Sequence, residues 1–488
     1  MIEWPPTVVI VGRDAALWLT AASISSALGP TGVKVRAIEL PTQLGPASAY
    51  ATLPAIEALH ARLGLDEAKL LRVTGGSFSL GWNIVRSGNA PFFLAHGAYG
   101  APIDGGDFFS CWLKARRHGL DVALENFSPT AMAARHGRLL LPDEETERFG
   151  RADYSYHLPA VPYVSMLKSR AQELGVTIDE ALQVRVERDG SSSAIASVAP
   201  GAGEPVTGDL FIDASGSQSV LMGAVLNVKS EDWRSFFPID KSLKARGARF
   251  SSVPTYAELK LSAANWTALH GSQAATHVVH AFCNADEPDE QSLVLAAKAS
   301  GMKLEDAIIE PVEPGLRSSA WAANCIAIGA SACSLDPMFD LDLHAVQLGI
   351  VHLVSLFPRG PGIEAERAEY NRITRSAFER LRDYQAAFYV LGGAARAAPA
   401  TLQQKLQAFC ARGTVAPMED ETFTSDQWRA LLVGLDVMPE SWPPAIETVP
   451  AEKMKDGFRQ ILGFVHKKVL EQPTHDRYLS DIGAGGTA

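Results

Sequence analysis

Cysteine is scarce. The chain has only Cys111, Cys283, Cys325, Cys333 and Cys410 in 488 residues. An odd number with no C-x-x-C spacing supports neither a disulfide framework nor a zinc site, and no metal is expected. The reading that follows is a reduced, cytoplasmic protein. Basic runs are also missing. With 44 Lys and Arg against 55 Asp and Glu, the net charge is −11. That balance, with no Lys/Arg stripe, argues against a nucleic-acid partner. No charge-free stretch is long enough to span a bilayer, so no membrane segment is expected. The first residues lack a basic n-region, and Asp14 interrupts their apolar run. They read as a strand and helix instead of a signal peptide. No internal repeat, low-complexity tract or independent linker is visible.

What is present is ordinary globular material: 47% hydrophobic and 20% charged residues, enough for two or three domains or one composite one. Three strand–turn units stand out. Thr7–Gly12 is a continuous apolar run, Arg13–Leu28 reads as a helix, and Val33–Leu40 returns as a strand ending near Glu39. This is the pattern of a dinucleotide-binding βαβ unit. Asp209–Gly216, DLFIDASG, is a second strand and turn. Trp321–Pro358 is the third: an apolar strand Cys325–Ile328, a turn of small residues Gly329–Leu335, and a helix from about Leu343 with apolar residues at helical spacing. Met166–Leu174 reads as a helix and Gly190–Gly203 as a hairpin or loop. Asp286–Gln291, DEPDEQ, reads as a solvated turn.

The residues of the third unit carry a resemblance. Trp321, Asn324, Gly329, Asp336, Pro337, His344, Gln347 and Gly349 fall in the order and spacing of the FAD-dependent tryptophan halogenase family. Further matches are Trp18, the Ala51-Thr52-Leu53-Pro54 loop, Thr74–Gly81, His96–Lys114, Asp153–His157, Glu231-Asp232-Trp233 and the charged spacing of Ile363–Val390. The resemblance covers nearly the whole chain. It implies an α/β fold: an FAD/NAD(P)-binding Rossmann-like domain of the flavin monooxygenase/halogenase type, with a substrate region and a helical C-terminal region. The expected core is 1–358, drawn from about 1–60, 150–220 and 320–358, and 359–488 is the expected helical region. It also implies FAD, held by Gly12, Arg13, Ala16, Glu39, Ala51, Thr52, Asp213, Gly216, Gly329, Asp336 and Pro337. His96, Trp266 and Phe339 belong to the implied substrate region. The implied partners are an aromatic small molecule, a flavin reductase and a second copy in a homodimer.

The departures lie at the chemistry. The family's T-x-x-x-F-K-L-G carries the lysine on which halogenation depends, and here that position is Ser79. The family's E-P-L-E-S-T carries a catalytic glutamate, and here it is Phe339. The W-x-W element retains only Trp266, for which core packing is the favoured reading. In the turn V-G-x-G-x-x-G-W, the second and third glycines are Asp14 and Leu17. A like-charge contact at about 4 Å is worth about 4 kcal/mol at an effective dielectric near 20. A helix N-terminus contributes about 0.3–2 kcal/mol. Asp14 therefore opposes a phosphate and is expected to cap the helix instead, whereas Arg13 could reach one. FAD binding stays open between those two effects. The expectation is a protein that no longer halogenates, with Ser79 and Phe339 facing one cavity. It is either a redirected flavin-dependent oxidoreductase acting on an aromatic compound or a non-catalytic partner subunit. A working halogenase with a relocated amine would need another lysine, and Lys114 and Lys168 have no motif in support.

Overall fold

A computed structural model describes residues 5–190, 193–262, 265–360 and 362–484. Its contacts divide the chain into two units, each discontinuous. The first comprises Met1–Thr74, Pro159–Arg234 and Val312–Arg382, and the second Gly75–Leu158, Ser235–Pro311 and Asp383–Ala488. The expected C-terminal region 359–488 is thus shared: its residues through Arg382 count with the first unit.

The first unit is built on a six-stranded sheet in the order Trp321–Ala322, Cys325–Ala327, Leu210–Ala214, Thr7–Gly12, Lys34–Glu39 and Thr177–Glu180. All three strand–turn units read from the sequence meet in it. Pairing is parallel, with Ile10 opposite both Ile212 and Ala37 and with Ile212 opposite Ile326. Only the edge strand at Trp321 runs antiparallel. Val8, Val9, Ile10 and Val11 are fully buried, as a strand covered on both faces requires. Gly12 is obligatory for close approach, because a Cβ there would stand 2.6 Å from the Ala214 carbonyl oxygen. The opening helix, Asp14–Leu28, buries Leu17, Trp18, Leu19, Ala21, Ala22 and Ile24. It packs against the helices Ala160–Glu173 and Asp342–Ser355.

Asp14 does not cap that helix. Arg13 holds the N-cap position, and no side chain caps the helix there. The helix expected at Met166 begins at Ala160. The hairpin expected at Gly190–Gly203 is present as Val184–Arg188 paired with Ile195–Pro200, and its residues 191 and 192 lie outside the described residues.

The second unit carries a seven-stranded sheet in the order Glu305–Pro311, Lys241–Gly247, Thr276–Phe282, Asn265–Gly271, Ala257–Leu261, Gly81–Arg86 and Phe92–Ala95. Pairing is antiparallel except between Ala257–Leu261 and Gly81–Arg86. Leu243, Ala245, Leu269, Val278, Phe282, Ala296 and Leu304 form one core, which includes the helix Asp289–Ser300 through Ala296. The segment Asp286–Gln291 is not simply a solvated turn. Glu287 is buried, and its carboxylate accepts hydrogen bonds from Asn265 at 2.6 Å and meets His280 at 2.8 Å. A second, shorter pairing joins Ser77–Ser79 to Ser155–Pro159. The helices Ala400–Arg412, Ser425–Gly434, Ala451–Glu471 and His475–Asp481 complete this unit. Among the described residues no helix is long and apolar enough to cross a membrane.

Candidate functional site

In an open parallel sheet, ligands bind in the crevice outside the carboxyl ends of the strands. In the first unit these ends are Gly12, Glu39, Ala214 and Ala327. Gly12, Arg13, Ala16, Glu39, Asp213, Gly216 and Gly329 lie at or just beyond them.

Asp213 is completely buried. Its carboxylate accepts from the Ser215, Leu221 and Met222 amides and from the hydroxyls of Ser215, Ser219 and Ser331, at 2.5–3.3 Å. An ionised carboxylate offers about four acceptor positions, so Asp213 organises the turn and has nothing left for a ligand. Glu39 meets the Lys168 ammonium at 2.5 Å, and that ammonium also lies 5.3 Å from the Trp18 ring centroid. Arg13 is buried, donates to Gln218 Oε1 at 2.8 Å, and leaves its Nε without a partner. Burial lowers the pKa of its guanidinium below the ordinary value. Asp14 has φ 54°, the left-handed backbone that a glycine adopts freely. Its oxygens accept from the Thr42 hydroxyl at 2.5 Å and the Gln43 amide at 3.2 Å.

Gly216 and Gly329 both have positive φ, 79° and 65°. At Gly329 a Cβ would also meet Val346 at 2.7 Å. Ala51 donates its amide to Asp340 at 2.6 Å, Thr52 is buried, and Asp336 accepts the Met338 amide at 2.9 Å beside Pro337. Phe339 is buried with φ 68°, and Asp340 follows with φ 50°. Two consecutive left-handed residues without a glycine cost roughly 1–2 kcal/mol each, and such strain persists only where the surroundings enforce it. Strain therefore sits at the entry to the helix Asp342–Ser355.

Tyr50, Thr42, Gln43 and Lys168 were not among the residues expected at this edge. Tyr50 is half-buried. Burial, then Asp14 and Asp340, raise its phenol far above the usual value, and the Ala15 amide opposes that shift as a donor to its oxygen. These pairings link residues far apart in the chain, and no local spacing announces them. A polar recess of about 240 Å³ opens near the Gly216 and Gly329 turns, lined by Ser217, Glu231, Arg234, Arg317 and Ala330 among others.

Implied FAD can be tested against this edge. A dinucleotide needs free amides at the helix N-terminus and a free acid on the second strand. Here a carboxylate and a phenol stand at the first, and an ammonium holds the second. In this conformation the nucleotide end does not fit FAD.

In the second unit, Ser79 is buried and its hydroxyl donates to the Gly81 carbonyl at 3.3 Å. Across the short ribbon, Ser155 Oγ meets His96 Nε2 at 2.8 Å and lies 3.5 Å from the Ser79 carbonyl oxygen. His96 packs edge-on to Trp82 at 4.7 Å, and its Nδ1 is buried without a partner. Burial pushes its pKa down to about 3, so the imidazole is neutral at physiological pH. Trp266 is buried and donates its indole N–H to the Tyr389 hydroxyl at 2.8 Å; it is a core residue. Lys114 is paired with Glu447 at 2.8 Å. Ser79 and Phe339 belong to different units. Among the described residues no group of His, Cys, Asp and Glu suits a metal.

Several comparisons bear on this arrangement. Residues 7–451 match the family model described as tryptophan halogenase. The tryptophan 6-halogenase of Streptomyces toxytricini is 25% identical over 433 residues, covering 80% of this chain and 79% of that protein. The 7-chloro-L-tryptophan 6-halogenase of Kutzneria sp. (strain 744) is 24% identical over 420 residues, covering 80% of each. Among solved structures, a flavin-dependent halogenase from Brevundimonas sp. BAL3 superposes with a TM-score of 0.90 at 26% identity, covering 98% of this chain and 99% of that one. One from Xanthomonas campestris, at 24% identity, shares the fold with a TM-score of 0.92 over 98% of both chains. The family match over residues 7–451, together with these relatives, leads to one assignment: the chain belongs to the tryptophan halogenase family of flavin-dependent halogenases.

Proposed function

We propose that this family member does not transfer halogen. The observation that carries the reading is the pair of buried, non-ionisable side chains, Ser79 and Phe339, at the positions that the sequence resemblance assigns to the family's lysine and glutamate. Electrophilic halogen transfer needs a positioned cation or amine to hold the oxidant and a base to take the arene proton. A serine hydroxyl supplies no positive charge, and a phenyl ring accepts no proton. The two lysines weighed as substitutes are already engaged: Lys114 with Glu447 and Lys168 with Glu39.

Two roles remain. The first is a redirected flavin-dependent oxidoreductase acting on an aromatic or indole-like compound, cytoplasmic, with a flavin reductase as partner and a homodimer as its assembly. The strained backbone at Phe339 and Asp340 supports it, because relaxed selection would be expected to release such strain. The second is a non-catalytic binding or partner subunit, favoured by the engagement of Asp213 and Glu39 within the chain.

The test is direct. Purified protein is incubated with a flavin reductase, FAD, NADH, chloride or bromide, and a panel of indoles, and products are read by mass spectrometry. No halogenated product is expected, and bromination of any indole overturns the proposal. The visible absorbance of the protein with and without added FAD separates the two roles.

A further inference from the structure

The nucleotide end of the crevice is closed by the chain itself, and the closure has the form of a latch. Asp14 keeps the left-handed backbone of a glycine turn, so the path of the chain is that of a phosphate-binding turn with a carboxylate added. Both carboxylate oxygens are held by the loop after the second strand, through Thr42 and Gln43. That loop is tied in turn, since the Leu44 amide donates to the Thr42 hydroxyl at 3.0 Å. Gln43 reaches toward the next strand end, its Oε1 4.0 Å from where a Cβ on Gly216 would stand. The Tyr50 phenol lies against the Ala15 amide, among the first free donors of the helix. Lys168 covers Glu39.

One observation separates a latch from a site that has simply been filled in. Arg13, more than nine-tenths buried at the helix N-cap, keeps an Nε donor with no partner, and the neighbouring Trp18 indole N–H, fully buried, also lacks one. A buried donor left unmade is costly, and a site that had closed for good would be expected to lose it. The Arg13 guanidinium carries the charge that takes an anion, and the indole N–H is a neutral donor.

We infer that Asp14, with Thr42, Gln43 and Tyr50, latches the helix N-terminus against the phosphates of a dinucleotide, that Lys168 masks the ribose position at Glu39, and that Arg13 is the anion anchor exposed when the latch opens. The inference takes its ligand class, a flavin dinucleotide, from the flavin-dependent role proposed above.

The experiment uses the full chain. FAD is titrated by fluorescence quenching into the wild type, Asp14→Gly, Asp14→Asn, Tyr50→Phe and Lys168→Met, with riboflavin as a probe that lacks phosphate and adenosine. Thermal melts confirm that each variant is folded. Asp14→Gly tightens FAD binding at least tenfold. Asp14→Asn, which keeps the bulk without the charge, gives a smaller gain, and Tyr50→Phe and Lys168→Met each give a few-fold gain. Riboflavin affinity stays constant throughout. Adding Arg13→Gln to Asp14→Gly reverses the gain.

Equal FAD affinity in the wild type and all variants overturns the latch, whether that affinity is tight or undetectable. A riboflavin affinity that tightens in step with FAD overturns it as well. Halogenated indole from the wild type would remove the non-halogenating reading and leave these affinities untouched. Equal affinities would remove the latch and leave the halogenation result standing.

Discussion

Glu287 lies in a stretch of acids that looks like solvated surface, yet its carboxylate is buried between Asn265 and His280, and Thr267 completes the set by bonding His280 Nδ1 at 2.8 Å. Removing one member of such a network leaves buried partners unsatisfied. Glu287→Ala should destabilise the second unit by about 3–5 kcal/mol, read as a lower urea midpoint with an unchanged slope. Glu287→Gln, which keeps an acceptor, should cost less. A neutral result for the alanine variant would mean that the network contributes nothing. In the sequence, single residues are singled out where a motif position names them, as at Ser79, Phe339, Asp14 and Glu39. Their partners are not. Lys168 is 129 residues from Glu39, and Tyr50 reaches the Ala15 amide from a separate short strand, Ala49–Ala51. Asp14 was misread for a related reason: its capping propensity is local, but the left-handed backbone at the turn points the carboxylate toward Thr42 and Gln43.

Strands and helices were read well where both faces are buried. Thr7–Gly12 and Cys325–Ala327 are short apolar runs, and each became a strand of the first sheet. The helix Ala160–Glu173 starts earlier than expected and includes Pro162 near its start. Proline is tolerated in the first turn, where no intrahelical N–H bond is lost. The long helix Glu364–Leu391 carries Arg372–Glu369 and Arg375–Glu379 as partly exposed pairs, of the kind that adds little to stability. Its firmest attachment to the sheet is uncharged. Asn371 accepts the Trp321 amide at 2.7 Å and donates to the Trp321 carbonyl at 3.0 Å, which closes the edge of the six-stranded sheet. Asn371→Ala is expected to cost about 1–3 kcal/mol and to raise hydrogen exchange at Trp321 and Ala322 above that at Leu210–Ala214. Unchanged exchange at that edge would show that the strand holds without it.

At the scale of the whole molecule the two units should respond differently to acid. In the second unit, burial lowers His96 to about 3, His270 and His475 to about 4, and His157 well below its usual value. His157 is faced by the His270 ring at 5.1 Å and also feels His475 and His96; His277 acts on His270, and Asp476 opposes the shift at His475. A folded-state pKa below that of the unfolded chain means that the unfolded state binds more protons. The stability is therefore complete above about pH 6.5 and is lost as pH falls toward about 4. Each such histidine, titrating alone, withdraws on the order of 2 kcal/mol by pH 5. Calorimetry should show a melting transition at pH 5 that lies roughly 15–30 °C below its pH 7.5 value, and His270→Gln should shrink that difference. The first unit holds His60 and His344, both lowered to about 4, and should lose less. Equal losses in two resolved transitions would contradict the assignment.

The pairing of Thr7–Gly12 with Leu210–Ala214 on one side and Lys34–Glu39 on the other also sets a timetable for synthesis. At about 5–20 residues per second, the strand that becomes central to the sheet leaves the ribosome roughly 10–40 s before its neighbour at Leu210 is made. Through that interval TVVIVG is an uncharged, largely β-branched segment with one open edge, the composition of an aggregation nucleus. Neither unit has all of its segments until translation passes Arg382. Recovery of soluble protein should therefore depend on slow expression or on added chaperones more than the folded molecule's own stability would suggest.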